Sequence, residues 1–137
     1  MNEQQLQIPF DMVVIGGTGD LARRKLLPAL YILDKYDRIS PSGRIIAVAR
    51  HQGSRESYLA DTGERAHRHI EPEERSDEVW SRFSERIQYL GMSATEQESY
   101  GELIRMLEGH EDRVRIFYLA TSPALYGDIS HAIASSG

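Results

Sequence analysis

The feature that most constrains this chain is a glycine-rich turn, Gly16-Gly17-Thr18-Gly19, that directly follows a short apolar run at residues 11–15. Such a run, rich in β-branched residues and ended by glycines, predicts a strand that is buried on both faces. After the turn, leucines recur at spacings of three and four. They predict an amphipathic helix that continues to about Asp37, with a kink or a restart at Pro28. A strand, a glycine turn and a helix in this order indicate the first unit of a parallel α/β sheet.

The rest of the chain repeats this alternation. Further strands are predicted at residues 44–50, 87–92 and 113–120. Helices are predicted over 55–86 with a break at 71–74, after a capping box at 95–98, and over 124–133 after Ser122-Pro123. The pattern predicts a doubly wound α/β domain, a parallel sheet with helices on both faces, over residues 11–137. A polar segment at residues 1–10 precedes it.

Composition narrows the class of function. The 16 Lys and Arg against 21 Asp and Glu give a net charge of -5, which argues against a nucleic-acid partner. The chain has no cysteine, and no metal site is predicted because the histidines show no ligand spacing with carboxylates. We interpret the five histidines as surface residues; they are His51, His67, His69, His110 and His131. No apolar run has the length of a membrane span and no signal-peptide pattern is present, so we expect no membrane partner and a cytoplasmic location.

The glycine turn has the spacing of a dinucleotide-binding motif. Gly16 and Gly19 are followed at the same interval by Ala22. Gly16 can make the tight turn after the strand, Gly19 leaves the helix amides open to phosphate, and Ala22 allows close packing of helix on strand. A bare strand-to-helix turn is the competing interpretation, and the flanking strand and helix favour phosphate binding over it. A mononucleotide P-loop is excluded, because Asp20 stands where that motif needs a lysine. Asp20 is interpreted as a cap or a holder of the turn.

Basic residues suggest which dinucleotide is bound. Arg50 ends the second predicted strand, where NAD enzymes usually carry an acidic residue and an arginine suits the 2′-phosphate of NADP. It lies about thirty residues after Gly19, rather than the usual ~20, because the first helix and the following loop are long. A solvated arginine at a strand end remains the alternative. Arg23-Arg24-Lys25 falls in the first helical turns, and the spacing does not determine which of the three reaches a ligand.

Residues 16–31 (GGTGDLARRKLLPALY) together resemble the amino-terminal signature of the glucose-6-phosphate dehydrogenases. Residues 45–50, the run IFYLA at 116–120 and Pro123 also fall where that family has them. The resemblance covers essentially the whole chain and is strongest over 11–50 and 113–127. It implies a Rossmann-like NADP-binding domain.

The resemblance also implies roles for individual residues. Arg50 would hold the 2′-phosphate, and Lys25 would position the substrate near the nicotinamide. Ser93-Ala94 would lie by the adenine, where the family often has an aspartate. Tyr126 would lie near the cofactor, although its pattern alone is more typical of the core. The pyrophosphate would be held by the glycine loop, formed by Gly16, Gly17, Thr18, Gly19, Asp20, Leu21, Ala22 and Arg23.

By this resemblance the whole enzyme oxidises glucose 6-phosphate to 6-phosphogluconolactone, the first step of the pentose phosphate pathway, by moving a hydride from C1 of the sugar to NADP. The family's Glu-Lys-Pro segment, its catalytic His and Asp, and its large antiparallel domain would follow Gly137. We therefore expect a fragment that carries no catalytic residue, is inactive alone, and forms a homo-oligomer through the missing domain.

Two other functions are considered. The first is a stand-alone NADP-binding module without catalysis, which the sequence downstream of Gly137 would distinguish from a truncated enzyme. The second is a short-chain reductase, which needs a Tyr and a Lys four residues apart. Tyr126 is followed at that spacing by Ser130, so this interpretation fails within the chain.

Overall fold

The computed structural model describes residues 8–109 and 112–136, and its centre is a four-stranded parallel sheet. The spatial order of the strands is β3-β2-β1-β4, so the chain builds one side of β1 before it crosses to the other. Each strand ends within one residue of its prediction. The strands are β1 (Phe10–Ile15), β2 (Arg44–Ala49), β3 (Ile87–Gly91) and β4 (Val114–Leu119). Of the predicted polar segment 1–10, residues 1–7 lie outside the described part, and Phe10 already belongs to β1.

The first helix changes its winding around Pro28, as the sequence predicted. It is helical from Asp20, forms a π-helical turn at Ala22–Leu26, and continues as α1 (Leu27–Lys35). Pro28 cannot donate a backbone hydrogen bond, and its ring would clash with the carbonyl four residues earlier in a regular α-helix. The wider π turn shifts the pairing, so that the amide of Leu27 donates to the carbonyl of Ala22. The predicted restart therefore takes the form of a π turn that precedes the proline.

The remaining helical segments are short. The predicted break at 71–74 is confirmed as a 3-10 turn. Ser122 caps the 3-10 turn that leads into the last helix, by accepting a hydrogen bond from the amide of Ala124. The capping box at 95–98 is wrong: a 3-10 turn precedes the helix there, and no side chain caps it. The segments are α2 (Arg55–Tyr58), a π turn (Leu59–Gly63), α3 (Glu64–His67), a 3-10 turn (Pro72–Glu74), α4 (Asp77–Ser84), a 3-10 turn (Gln97–Tyr100), α5 (Gly101–Leu107), a 3-10 turn (Pro123–Leu125) and α6 (Tyr126–Ser136).

Two apolar layers cover the two faces of the sheet. Successive residues of β1 alternate between them: Val14 packs with α1 to α4 around Tyr31 and Phe83, whereas Val13 packs with α5 and α6 around Leu103. The crossover helices between parallel strands lie on the faces of the sheet, so both faces of a parallel sheet are covered. The predicted doubly wound α/β fold is therefore what the chain forms.

The amino-terminal edge of the sheet is held by ion pairs. The Asp11 side chain is 1% exposed and lies 2.8 Å from guanidinium nitrogens of both Arg44 and Arg113. Nearby, Asp34 pairs with Arg86 at 3.0 Å. A cavity of about 650 Å³ opens at this edge. Its arginines Arg44, Arg82 and Arg86 already pair with these aspartates, and in α/β sheets ligands bind at the opposite, carboxyl edge.

Candidate functional site

A cleft of about 800 Å³ opens at the carboxyl edge of the sheet, where the strand order reverses on either side of β1. Open α/β sheets bind ligands at such a switch point. The loops after all four strands contribute to the cleft. Its lining residues are Ile15, Gly16, Thr18, Gly19, Asp20, Leu21, Val48, Ala49, Arg50, His51, Met92, Ser93, Ala94, Thr95, Ala120, Thr121, Ser122, Leu125 and Ile129.

Gly16 makes the tight turn that its position after the strand predicted. Its φ of 86° lies in the left-handed region, which side chains other than glycine rarely adopt. A Cβ atom here would lie 2.7 Å from the Thr121 methyl group. The amides of Gly16 and Gly17 both donate to the Val48 carbonyl oxygen, each at 2.9 Å. The turn is therefore anchored to the end of β2.

Two predicted loop residues shape the turn from behind and do not line the cleft. Gly17 is buried, and a Cβ atom on it would lie 2.8 Å from the Cβ of Ala47, so the turn passes directly over β2. Ala22 is fully buried within the layer that packs the first helix on β1, as its small side chain predicted. The requirement for a glycine at 17 was not foreseen, because it depends on a neighbouring strand thirty residues away in sequence.

The carbonyl groups of the turn are all engaged within the protein. The Gly16 oxygen accepts a hydrogen bond from the Gly19 amide at 3.0 Å. The Gly17 oxygen accepts one from the Tyr58 hydroxyl at 2.8 Å, and the Thr18 oxygen accepts one from the Arg23 guanidinium at 2.8 Å. The first amides of a helix have no intrahelical acceptor. The helix that begins at Asp20 therefore presents donors at the cleft, together with the positive end of its dipole, and this arrangement suits an anion.

The three basic residues after the turn, Arg23, Arg24 and Lys25, make different contacts. Arg24 pairs with Asp20 at 2.9 Å, and Arg23, besides its bond to the turn, lies 3.5 Å from the same carboxylate. Asp20 therefore holds these side chains, which fits its interpretation as a holder of the turn. Lys25 is exposed, and within the described part of the chain no ion pair involves it. Arg23, Arg24 and Lys25 flank the cleft and are not among its lining residues.

Arg50 is exposed in the cleft, and β3 holds the backbone around it. The Met92 amide donates to the Ala49 carbonyl at 2.8 Å, and the Tyr89 hydroxyl donates to the His51 carbonyl at 2.6 Å. His51 also lines the cleft, although its sequence pattern indicated only a surface residue. Its position directly after Arg50 was the available signal for a role in the site.

The other walls come from the loops after β3 and β4. Ser93 and Ala94, predicted to lie by an adenine, line the cleft with Met92 and Thr95. Tyr126 is 36% exposed at the start of α6 and does not line the cleft, whereas Leu125 beside it does. Sequence reasoning did not identify the apolar and hydroxyl contributions of Met92, Thr95, Thr121, Ser122, Leu125 and Ile129.

Two other features bear on the class of site. Over residues 8–109 and 112–136, no three His, Asp or Glu side chains come together as a group that could hold a metal ion. His110 lies outside this described part. None of the described helices combines the length and the apolar character needed to cross a membrane.

Comparison with known proteins gives one consistent family. A family model described as the NAD-binding domain of glucose-6-phosphate dehydrogenase matches residues 13–137. The glucose-6-phosphate 1-dehydrogenase of Rhizobium meliloti (strain 1021) is 38% identical over 125 residues, which are 91% of this chain and 26% of that protein. That of Mycolicibacterium smegmatis is 38% identical over 135 residues, which are 94% of this chain and 27% of the relative.

Solved structures agree with the sequence relatives. A glucose-6-phosphate dehydrogenase in complex with its substrate glucose-6-phosphate superposes with a TM-score of 0.81 at 25% identity, covering 96% of this chain and 28% of that one. The glucose-6-phosphate 1-dehydrogenase of Mycobacterium avium also gives 0.81, at 28% identity, over 95% and 27% of the two chains. The present chain thus spans about a quarter of the length of the relatives it matches.

Proposed function

This chain belongs to the glucose-6-phosphate dehydrogenase family through its NAD-binding domain, and from that premise we propose that it binds NADP in the cleft at the carboxyl edge of the sheet. The family implies a nicotinamide dinucleotide cofactor. The preference for NADP over NAD is our proposal. The observation that carries it is the placement of the glycine turn and the exposed Arg50 around one cleft.

The residues of the turn fit a pyrophosphate. Side chains at positions 16 and 17 would collide with Thr121 and Ala47, so only glycines allow the turn to follow this path beside the cleft. The turn carbonyls are engaged on the protein side. The amides from Asp20 to Ala22 come before Arg23, whose amide is the first to find a helical acceptor, the Gly19 carbonyl. Free amide donors with no free carbonyl oxygen beside them favour the binding of an anion. We assign the pyrophosphate to this turn, from Gly16 to Arg23.

Arg50 supplies the charge for the 2′-phosphate. It follows β2, at the position where NAD enzymes carry a carboxylate that accepts from the ribose hydroxyls. No acidic residue follows Arg50 before Glu56, so no carboxylate in this loop competes for the ribose. A guanidinium can bind a phosphate through two parallel hydrogen bonds. We assign the adenine to the wall formed by Ser93 and Ala94.

We further propose that the whole protein oxidises glucose 6-phosphate to 6-phosphogluconolactone, and that this chain contributes its coenzyme-binding part. When bound, NADP would supply the hydride acceptor at C4 of its nicotinamide. The residues of this chain bind and orient the cofactor, and the exposed Lys25 beside the turn is assigned to position the sugar. We assign no proton-transfer step to these residues. The role of Tyr126 near the cofactor, the homo-oligomer and the cytoplasmic location stay predictions.

Titration of the purified chain with NADP and with NAD tests the proposal. Isothermal calorimetry should give a dissociation constant for NADP at least tenfold below that for NAD. Arg50→Gln should weaken NADP by roughly ten- to a hundredfold, because a charged hydrogen bond contributes about 1.5–3 kcal/mol. The same change should leave NAD within about twofold.

Arg38→Gln is the matched control, since Arg38 is also exposed but lies beyond the far end of α1. It should leave both affinities unchanged. Equal weak affinity of the unaltered chain for NADP and NAD would contradict the role of Arg50. Equal losses of NADP affinity in the two variants would show that only the net charge matters.

A further inference from the structure

Three tyrosines from different elements lie behind the loops that line the cleft. Each hydroxyl donates to a backbone carbonyl oxygen in the loop that follows one strand. The distances are 2.8 Å after β1, 2.6 Å after β2 and 2.7 Å after β3. The donor and acceptor pairs are Tyr58 to Gly17, Tyr89 to His51 and Tyr100 to Ala94.

Burial favours Tyr58 and Tyr100 as permanent donors, whereas Tyr89 is half-buried and its hydrogen bond to His51 is exposed. Tyr58 and Tyr100 are 4% and 2% exposed. Burial raises the pKa of all three phenols, so each hydroxyl stays protonated across the physiological range. The rings of Tyr58 and Tyr89 stack with centroids 5.2 Å apart. Through this stack the glycine turn and the loop that carries Arg50 are fixed to each other.

A held carbonyl also sets the direction of the next amide. In a planar trans peptide the C=O bond and the following N–H bond point in opposite directions. The tyrosine behind Gly17 therefore turns the amide of Thr18 away from itself, and the one behind Ala94 does the same for Thr95. Thr18 and Thr95 both line the cleft. The orientation of backbone donors on these walls thus depends on the tyrosine hydroxyls.

We propose that Tyr58, Tyr89 and Tyr100 are positioning residues for the dinucleotide, each fixing one wall of the cleft through a loop carbonyl. The inference rests on the proposed function, and it adds separate effects for the three residues. Tyr89 holds the loop that carries Arg50, so its hydroxyl contributes to binding of the 2′-phosphate and affects the affinity for NADP alone. Tyr58 holds the turn assigned to the pyrophosphate, and Tyr100 holds the wall assigned to the adenine. Both therefore affect the affinities for NADP and NAD alike.

The test replaces each hydroxyl in the full chain and measures binding by calorimetry. Tyr89→Phe should weaken NADP by about fivefold, the equivalent of one net hydrogen bond, and leave NAD within about twofold. Tyr58→Phe and Tyr100→Phe should each weaken the binding of both cofactors by about fivefold. Selectivity is the decisive readout, because a loss of packing would lower both affinities together.

Tyr31→Phe is the matched control. The Tyr31 hydroxyl also donates to a backbone carbonyl, that of Glu74 at 2.8 Å, but neither residue lines the cleft. This variant should lose stability and keep both affinities. If Tyr89→Phe lowers NADP and NAD equally, or behaves as Tyr31→Phe does, the inference is overturned while the preference of the unaltered chain for NADP still stands. A chain that binds neither cofactor overturns the proposed function and the inference together.

Hydrogen exchange without any ligand gives a second, independent readout. The amides of residues 50–53 should exchange several times faster in Tyr89→Phe than in Tyr31→Phe, because the loop loses the hydrogen bond from Tyr89 to the His51 carbonyl. Unchanged exchange in that segment would overturn the inference even if the affinities moved as expected.

Discussion

At the scale of single residues, the glycine turn depends on one backbone conformation. Gly16→Ala should lower the free energy of unfolding by about 2–4 kcal/mol, because the new methyl group would meet Thr121 and the positive φ is strained for alanine. Urea unfolding measures this loss.

The matched control is Gly101→Ala at the start of α5. A Cβ there meets nothing within 4 Å and the backbone is right-handed helical, so the change should stabilise the chain by roughly 0.5–1 kcal/mol. Equal stability of the two variants would contradict the specific requirement at Gly16.

At the scale of elements, a serine cap fixes the start of α4. The Ser76 hydroxyl accepts a hydrogen bond from the Val79 amide at 3.3 Å. Ser76→Ala should cost about 1 kcal/mol of stability, a typical loss for an N-cap. Ser81→Ala, on the exposed side of the same helix, should be neutral or slightly stabilising. Urea midpoints distinguish the two, and a Ser81 loss as large as the Ser76 loss would argue against capping.

The elements were largely predictable from local patterns, and the site only in part. The apolar runs, Pro28 and the glycine spacing are signals within short windows, so they located the strands, the irregularity of the first helix around Pro28, and Gly16. The capping box failed because Thr95 continues the loop after β3, and the chain first makes a 3-10 turn. The bonds from Tyr58 and Tyr89 could not be read from the sequence, because they join segments brought together only by the sheet.

At the scale of the whole molecule, the edge opposite the cleft should control stability in acid. Burial tends to raise the pKa of Asp11, but hydrogen bonds from Arg44 and Arg113 outweigh it and lower the pKa below its usual value. The unfolded value is about 3.9. The stabilisation from the ionised form is therefore complete above that pH and is lost as the pH falls through the folded pKa.

Asp11→Asn should cost about 3 kcal/mol at pH 7, because it leaves two arginines without their buried partner. The difference from the unaltered chain should shrink as the pH falls below about 4. Chemical unfolding at several pH values measures both effects. Asp61→Asn, in an exposed pair with Arg65, should change little at any pH. A constant penalty for Asp11→Asn from pH 6 to pH 3 would contradict the ionic origin.

The strand order also determines when the cleft can exist. A ribosome delivers β1 about a hundred residues before β4, yet the two strands lie side by side, with Phe10 opposite Val114. The glycine turn therefore leaves the exit tunnel long before Thr121 and Ser122, which form its facing wall, have been synthesised. This cleft cannot hold a dinucleotide until β4 has docked beside β1. Binding of the cofactor therefore depends on the docking of β4, and free dinucleotide in the cell would favour folding only from that step onward.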